Sequence, residues 1–236
     1  MVVEAETCAG PARGAGRLET SSGLVAAGKR GLSSRVMELF VATGNAHKII
    51  ELEPALAGHR LRLPAEAGLK DFEVEEDGST FLENALKKAQ ALHALIGVPC
   101  IADDSGLAVA ALGGAPGVLS ARYGSVDGVR KLDAAARNAY LLEVMAAQED
   151  RSCAFVCCLV LVLSEERVFA VQESCPGLLL REPRGEGGFG YDPLVFLPEL
   201  GRSVAELSLE EKNRLSHRGR ACARMVGILA DLEARP

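Results

Sequence analysis

The chain has 236 residues, a mass of 24.8 kDa, a net charge of −6 and a pI near 5.4. That is room for one domain, or two small lobes, with a sizeable core. The acidic balance excludes a protein that coats nucleic acid, which needs a large basic excess, and no apolar run reaches the roughly 18–20 residues of a membrane span.

With no Trp, 7 Phe and 3 Tyr, the core is predicted to be aliphatic and rich in alanine. The 7 cysteines form no CxxC pair. Cys8, Cys100, Cys175 and Cys222 are scattered, and Cys153, Cys157 and Cys158 sit in an apolar run. They read as reduced core thiols of a cytoplasmic protein in preference to a zinc or redox site.

Residues 1–36 are rich in Gly, Ala and Ser and show no apolar periodicity. They contain no secretory h-region, and Glu4, Glu6 and Glu19 suit a transit peptide poorly. The expectation is a dispensable leader, with a domain over 37–236 and Met37 as its natural first residue. Met37–Thr43 is predicted as a buried strand. A helix is expected from Asn45 to about Gly58, weakened by Pro54, and then a short strand over Leu61–Pro64. The acidic stretch Asp71–Asp77 closes at Gly78. Thr80 and Glu83 form a capping box for a helix that should bury Leu82, Ala85, Leu86, Ala89, Leu92 and Leu95, with Lys87 and Lys88 off the stripe. Val98–Ala102 is expected as a strand, followed by a Gly-rich region through Gly117. Residues 126–148 read as helical. The runs 153–163 and 166–174 read as a hairpin about Ser164-Glu-Glu, and a second Gly-rich stretch covers Gly185–Gly190. Ser208 and Glu211 form another capping box. Alternating helices and strands followed by a longer β section predict a mixed α/β sheet flanked by helices.

Five constellations carry chemistry. Thr43-Gly44-Asn45-Ala46-His47-Lys48 sits where a strand becomes a helix. Backbone N–H groups there attract anions and Lys48 adds charge, although an ordinary strand–helix turn explains the segment equally well. Asp103-Asp104-Ser105-Gly106 follows a strand. Alternation lets one carboxylate enter a site while the other holds the loop, and such a carboxylate suits Mg²⁺ with substrate phosphates; a simple turn is the competing reading. Glu75-Glu76-Asp77-Gly78 is a solvated face unless it meets Asp104, in which case two carboxylates can share a metal. Gly187–Pro193 places Phe189 and Tyr191 among glycines, with Asp192 beside them: a ring to stack on a base and a carboxylate to read its edge, or a hairpin connector. Lys212 and Ser216-His217-Arg218 suit a phosphate or a base. Five residues apart on one helix they would not share a face, so a break with Ser216 as a new N-cap is predicted; a basic helix face is the alternative.

In this order, TGNAHK (43–48), EEDG (75–78), FLENALKKA (81–89), ADDSGLAVAALGGAPGVLSARY (102–123), GGFGYDP (187–193) and SHRG (216–219) resemble the inosine triphosphate pyrophosphatase family, over residues 37 to about 232. The resemblance implies hydrolysis of ITP, dITP and XTP to the monophosphate and pyrophosphate with Mg²⁺, in a homodimer whose elongated α/β fold has two lobes and a central cleft. It implies that Thr43–Lys48 hold the triphosphate and that Asp104 is proton acceptor and metal ligand. Ser105 contacts substrate, and Glu75 is the second metal ligand, with Glu76 its rival. Lys88 lies near the phosphates. Phe189, Gly190, Tyr191, Asp192, Lys212, His217 and Arg218 bind the base. Leu119 stands where the family favours an aromatic, and His47 lies inside the phosphate loop. Residues 37–236 carry 21 basic and 29 acidic side chains, so attraction to a triphosphate must be local, through Lys48, Lys88, Lys212, Arg218 and the metal. The alternatives are a catalytically silent nucleotide-binding regulator and a house-cleaning pyrophosphatase for other modified nucleotides.

Overall fold

The computed structural model describes residues 36–126 and 130–234. The expected leader therefore lies, but for Val36, outside the described residues. Among the described residues seven strands form one sheet in the order β2-β1-β3-β4-β5-β6-β7. Strands β1 (Glu38–Val41), β2 (Arg60–Arg62) and β3 (Cys100–Val109) are parallel. The antiparallel part adds β4 (Ser152–Ser164), β5 (Arg167–Leu179), β6 (Val195–Leu197) and β7 (Arg202–Ser203). Among the described residues five α-helices complete the fold: α1 (Ala46–Ala55), α2 (Phe81–Ile96), α3 (Ala134–Val144), α4 (Leu209–Leu215) and α5 (His217–Ala234). None is long and apolar enough to cross a membrane.

The predicted elements appear with informative differences. Helix α1 ends at Ala55, with Pro54 inside its last turn and Asn45 as N-cap. The helix expected over 126–148 is confined, among the described residues, to α3, capped by Asp133. The hairpin forms with Glu165 and Glu166 at its tip, since Ser164 already pairs with Arg167. The larger correction concerns β3. Asp103–Gly106 do not follow a strand or form a turn; they lie inside one, because β4 pairs with β3 from Cys100↔Val162 to Val109↔Cys153. On the other side β1 stops early: its last partner is Ile101, followed only by the Ala42 N–H on the Ile101 carbonyl at 2.8 Å. From Asp103 onward no strand lies beside this flank of β3 among the described residues, and only the isolated bridge Ala108↔Pro116 pairs it further along.

Strand alternation sorts the core. Ile101, Leu159 and Leu161 face α1 and α5, meeting Leu52, Leu56, Met225 and Leu229. Cys100, Ala102, Cys158 and Val160 face Ala85, Ala89 and Leu92 of α2. Along the rest of the sheet Leu107, Val109, Phe155 and Val195 pack with Leu141 and Met145. The stripe predicted for α2 is rotated. Leu82 and Leu95 are 43% and 63% exposed, while Asn84 and Lys88 are buried. The helix turns two polar side chains inward because they have partners on β3. All six described cysteines are free and buried, and Cys8 lies outside the described residues.

The predicted break at Ser216 is present. Ser208 caps α4, Ser216 is extended (φ −70°, ψ 163°), and its Oγ accepts the Gly219 N–H at 3.2 Å to start α5. The two helices meet so closely that a Cβ on Gly219 would lie 1.8 Å from the Asn213 carbonyl oxygen. Gly219→Ala is therefore expected to cost about 3 kcal/mol or more, as overpacking against backbone. Gly227→Ala, whose added Cβ meets nothing within 4 Å, should be neutral or slightly stabilising. Thermal melting of the two variants checks the contrast.

Candidate active site

The unpaired flank of β3 is where the charged side chains gather. Asp103 points toward α1 and α5, as Ile101 does, and its carboxylate is wholly buried. Arg218 Nε donates to its Oδ2 at 2.8 Å, Cys157 Sγ donates at 3.1 Å, and Ser105 Oγ donates to Oδ1 at 3.0 Å. Lys48, one turn into α1, pairs with the same carboxylate. Burial alone would raise the Asp103 pKa, but Arg218 and Lys48 outweigh it and hold the group well below the usual carboxylate range.

Asp104 points to the opposite face, toward α2. Lys88 Nζ reaches its Oδ1 at 3.1 Å and Glu76 Oε1 at 2.7 Å. Burial raises the Asp104 pKa, only partly offset by Lys88 and Lys48. Burial opposes the charge on Lys88, but Asp104 and Glu76 prevail and its pKa is raised. The Asp103 carbonyl, left without a strand partner, accepts from Lys88 at 2.9 Å and from Lys48 at 3.3 Å. The two lysines thus converge from opposite faces of the sheet on one backbone oxygen.

A second set is joined to the first through Glu51, which is 3% exposed. Glu51 pairs with Arg218 Nη1 and with Lys212 Nζ, the latter at 2.5 Å. Arg218 Nη2 donates to Ser105 Oγ at 2.7 Å. Lys212 also reaches Asp192 Oδ2 at 2.6 Å, and that oxygen accepts the Phe189 N–H at 2.6 Å. Burial raises the Asp192 pKa against the pull of Lys212. Phe189 lies beneath Lys212 (4.7 Å from the ring centroid) and Arg218 (5.7 Å), and stacks on His47 at 5.2 Å.

The residues singled out in the sequence fall into three groups. Lys48, Lys88, Asp104, Ser105, Phe189, Asp192, Lys212 and Arg218 come together. The Thr43–His47 loop borders them. Asn45 Oδ1 accepts the His47 N–H at 3.0 Å and Thr43 Oγ1 accepts the Asn45 N–H at 3.2 Å; Gly44 and Ala46 are exposed. The third group stands apart. Glu75 is exposed, and its neighbour Glu76 is the one that reaches Lys88. The Tyr191 ring belongs to the core with Leu194 and Val195, and its hydroxyl donates to the Ser120 carbonyl at 3.0 Å. The Gly190 carbonyl accepts from Asn138 at 3.1 Å. His217 stacks on Phe155 at 4.8 Å, and its buried Nδ1 has no partner among the described residues. Burial, with Arg218 adding to it, pushes the His217 pKa well down, so the ring is neutral near pH 7.

Sequence reasoning missed Glu51, Asn84 and Cys157. The only signal for Glu51 is its place three residues after Lys48 on one helix face; in a sequence it looks like an ordinary solvated glutamate.

No group of three or more His, Cys, Asp or Glu side chains able to hold a metal occurs among the described residues. Two carboxylates, Asp104 and Glu76, share the Lys88 ammonium. That donor set fits a hard divalent cation that completes its shell with water and substrate oxygens.

The Ham1 family model matches residues 39–228. The chain belongs to the Ham1 family. It is 47% identical over 185 residues to a dITP/XTP pyrophosphatase of Treponema denticola, covering 78% of this chain and 94% of that one. Against a dITP/XTP pyrophosphatase of Thermus thermophilus it is 47% identical over 201 residues, 84% of this chain and 94% of the other. The HAM1 protein of Coxiella burnetii superposes with a TM-score of 0.74 at 37% identity, over 83% of this chain and all of that one. A nucleoside-triphosphatase, dITP/XTP pyrophosphatase of Mycobacterium abscessus superposes with a TM-score of 0.64 at 41% identity, over 80% of this chain and 98% of the other. Membership in this family carries the general expectation of a divalent metal.

Removing Arg218 would leave Glu51 and Asp103 buried without their shared cation. Arg218→Met is expected to cost about 3–5 kcal/mol. Asp103, with its pKa depressed in the folded state, contributes stability above its unfolded pKa that is lost as pH falls through the folded value. Without Arg218 the folded pKa rises, so acid unfolding should begin at higher pH than in the unaltered protein. Urea melts across a pH series measure both effects.

Proposed function

We propose that this chain hydrolyses dITP, ITP and XTP to the nucleoside monophosphate and pyrophosphate, with Mg²⁺, and so clears non-canonical purines from the nucleotide pool. The observation that carries the reading is the meeting of Lys48 and Lys88 on the Asp103 carbonyl, directly beside the raised-pKa carboxylate of Asp104. It supplies positive charge for phosphates and a proton acceptor in one place. The activity named for relatives that share 47% of their residues with this chain supports it.

In this reading the triphosphate lies between the N-terminus of α1 and α2. Within the Thr43–Lys48 loop, the N–H groups of the exposed Gly44 and Ala46 and the Lys48 ammonium face its oxygens. Lys88 exchanges the Glu76 carboxylate for a phosphate oxygen. Asp104 and Glu76, with Glu75 adjacent, would hold Mg²⁺, which would neutralise phosphate charge when bound. Asp104 orients a water molecule and takes its proton as the water oxygen bonds to the α-phosphorus. The bond from that phosphorus to the bridging oxygen breaks, and pyrophosphate departs with that oxygen. Ser105, fixed by Arg218, contacts the substrate.

Phe189 stacks on the base and Lys212 presents a donor to it. Lys212 can only donate, so it suits the O6 of hypoxanthine or xanthine and rejects the 6-amino group of adenine. Guanine also carries O6, and its exclusion requires a penalty at the 2-amino group. Asp192 orients Lys212, and Gly190 and Tyr191 shape the loop. A homodimer in the cytoplasm belongs to the same proposal, and the unpaired buried thiols suit a reducing compartment.

Asp104→Asn should lower pyrophosphate release from dITP by about 100- to 10,000-fold while circular dichroism stays unchanged. Near-normal turnover would remove Asp104 from the role. A panel of ITP, dITP, XTP, GTP, ATP and dUTP with Mg²⁺ tests the substrate class. A silent binder releases no pyrophosphate from any of them, and preference for dUTP would point to a different house-cleaning activity.

A further inference from the structure

Asn84 stands at the end of the first turn of α2, four residues past the Thr80 cap, and only 1% of its surface is exposed. It lies between the acidic loop and β3. Its Oδ1 accepts the Gly78 backbone N–H at 2.8 Å, and its Nδ2 donates to Asp104 Oδ2 at 3.3 Å. The orientation of the amide is dictated by its neighbour: a backbone N–H can only donate, so the oxygen must face Gly78 and the NH₂ group must face Asp104. The approach is close enough to prevent drift. A Cβ on Gly78 would lie 2.7 Å from Asn84 Oδ1 and 2.8 Å from Glu83 Cβ. The other oxygen of Asp104 is taken by Lys88, four residues on and therefore on the same face of α2. Two side chains of one helix thus address the two oxygens of one carboxylate.

We propose that Asn84 is a positioning residue for the hydrolysis, fixing the plane of the Asp104 carboxylate from a helix whose own placement is set by the core. The inference rests on the reading of Asp104 as the proton acceptor. It assigns Asn84 a task beyond tethering the acidic loop, whose Glu76 carbonyl is independently held by Arg122 Nη2 at 2.8 Å. Since Asn84 touches Asp104 and the loop but is placed on no substrate atom, its loss should appear in kcat and leave KM nearly untouched.

Asn84→Asp separates the two tasks. The aspartate keeps the size of the side chain and an oxygen for the Gly78 N–H, but turns an acceptor toward Asp104. Initial rates with dITP at saturating Mg²⁺ should show kcat lower by about 10- to 100-fold, the scale of one hydrogen bond to a charged group, with KM unchanged within about threefold. A folded N84D with the kcat of the unaltered protein overturns the proposal, as does a rise in KM at constant kcat, which would mean loop tethering alone. If N84D does not fold, Gly78→Ala displaces the same amide from outside and is read by the same split. Asp104→Asn run in parallel separates the failures. If it turns over normally, the reading of Asp104 falls; if it is inactive while N84D is normal, only the role of Asn84 falls.

Discussion

A carboxylate with no access to water governs this structure. Asp103 is held in its charged form inside the sheet, and the cost of burying that charge is offset chiefly by the buried Arg218, with Lys48 and hydrogen bonds from Ser105 and Cys157 adding to it. Arg218 meets it, and Arg218 in turn needs Glu51. Glu51 holds Lys212, Lys212 holds Asp192, and Asp192 caps the N–H of Phe189. The sequence of obligations runs from the centre of the sheet to the aromatic loop through α1, α4 and α5. Its value lies in placement more than in net stability, because an apolar replacement of such a network is often as stable. Here every charge from Asp103 to Asp192 is pinned by the next, which fixes the cations in place.

The overall charge of the chain is the wrong sign for a triphosphate, and the site shows how that is managed. The cations are not massed on the surface; they are interleaved with carboxylates. An ammonium has three donors. Lys88 commits all three, to Glu76, the Asp103 carbonyl and Asp104. Lys48 shows two acceptors among the described residues, both on Asp103. Lys48 therefore has a donor to offer at once, while Lys88 must give up a carboxylate. Under the proposed function, an incoming anion would meet one cation with a donor to spare among the described residues and one held in reserve.

Much of the fold was legible in the sequence because local chemistry and tertiary structure agree. The capping boxes at Thr80 and Ser208 and the extended Ser216 between two helices follow from side chains that satisfy their own backbone. Phe189, Lys212 and Arg218 could be grouped by motif. What was not legible are the places where partners distant in sequence override pattern. Asp103–Gly106 resemble a turn and are held in a strand by β4. Lys88 and Asn84 resemble the wet side of α2 and face inward because Asp104 is there. Glu51 resembles a surface glutamate and is buried because α4 and α5 bring it two cations. Tyr191, grouped with Phe189 by its glycine setting, packs with Leu194 and Val195, since its hydroxyl finds the Ser120 carbonyl. In each case a period or a composition is correct for an isolated segment and is outvoted by long-range pairing, through a β ladder, ion pairs or a hydrogen bond.

The early end of β1 has a further consequence. The acceptor that gathers Lys48 and Lys88 is a main-chain carbonyl, present whatever side chain residue 103 carries. It is exposed to the two lysines because a strand is two residues too short to cover it. This acceptor is therefore heritable through chain topology and loop length. Substitution can remove the lysines but not the point on which they meet, whereas an insertion that lengthened β1 would erase that point without altering a single charged residue.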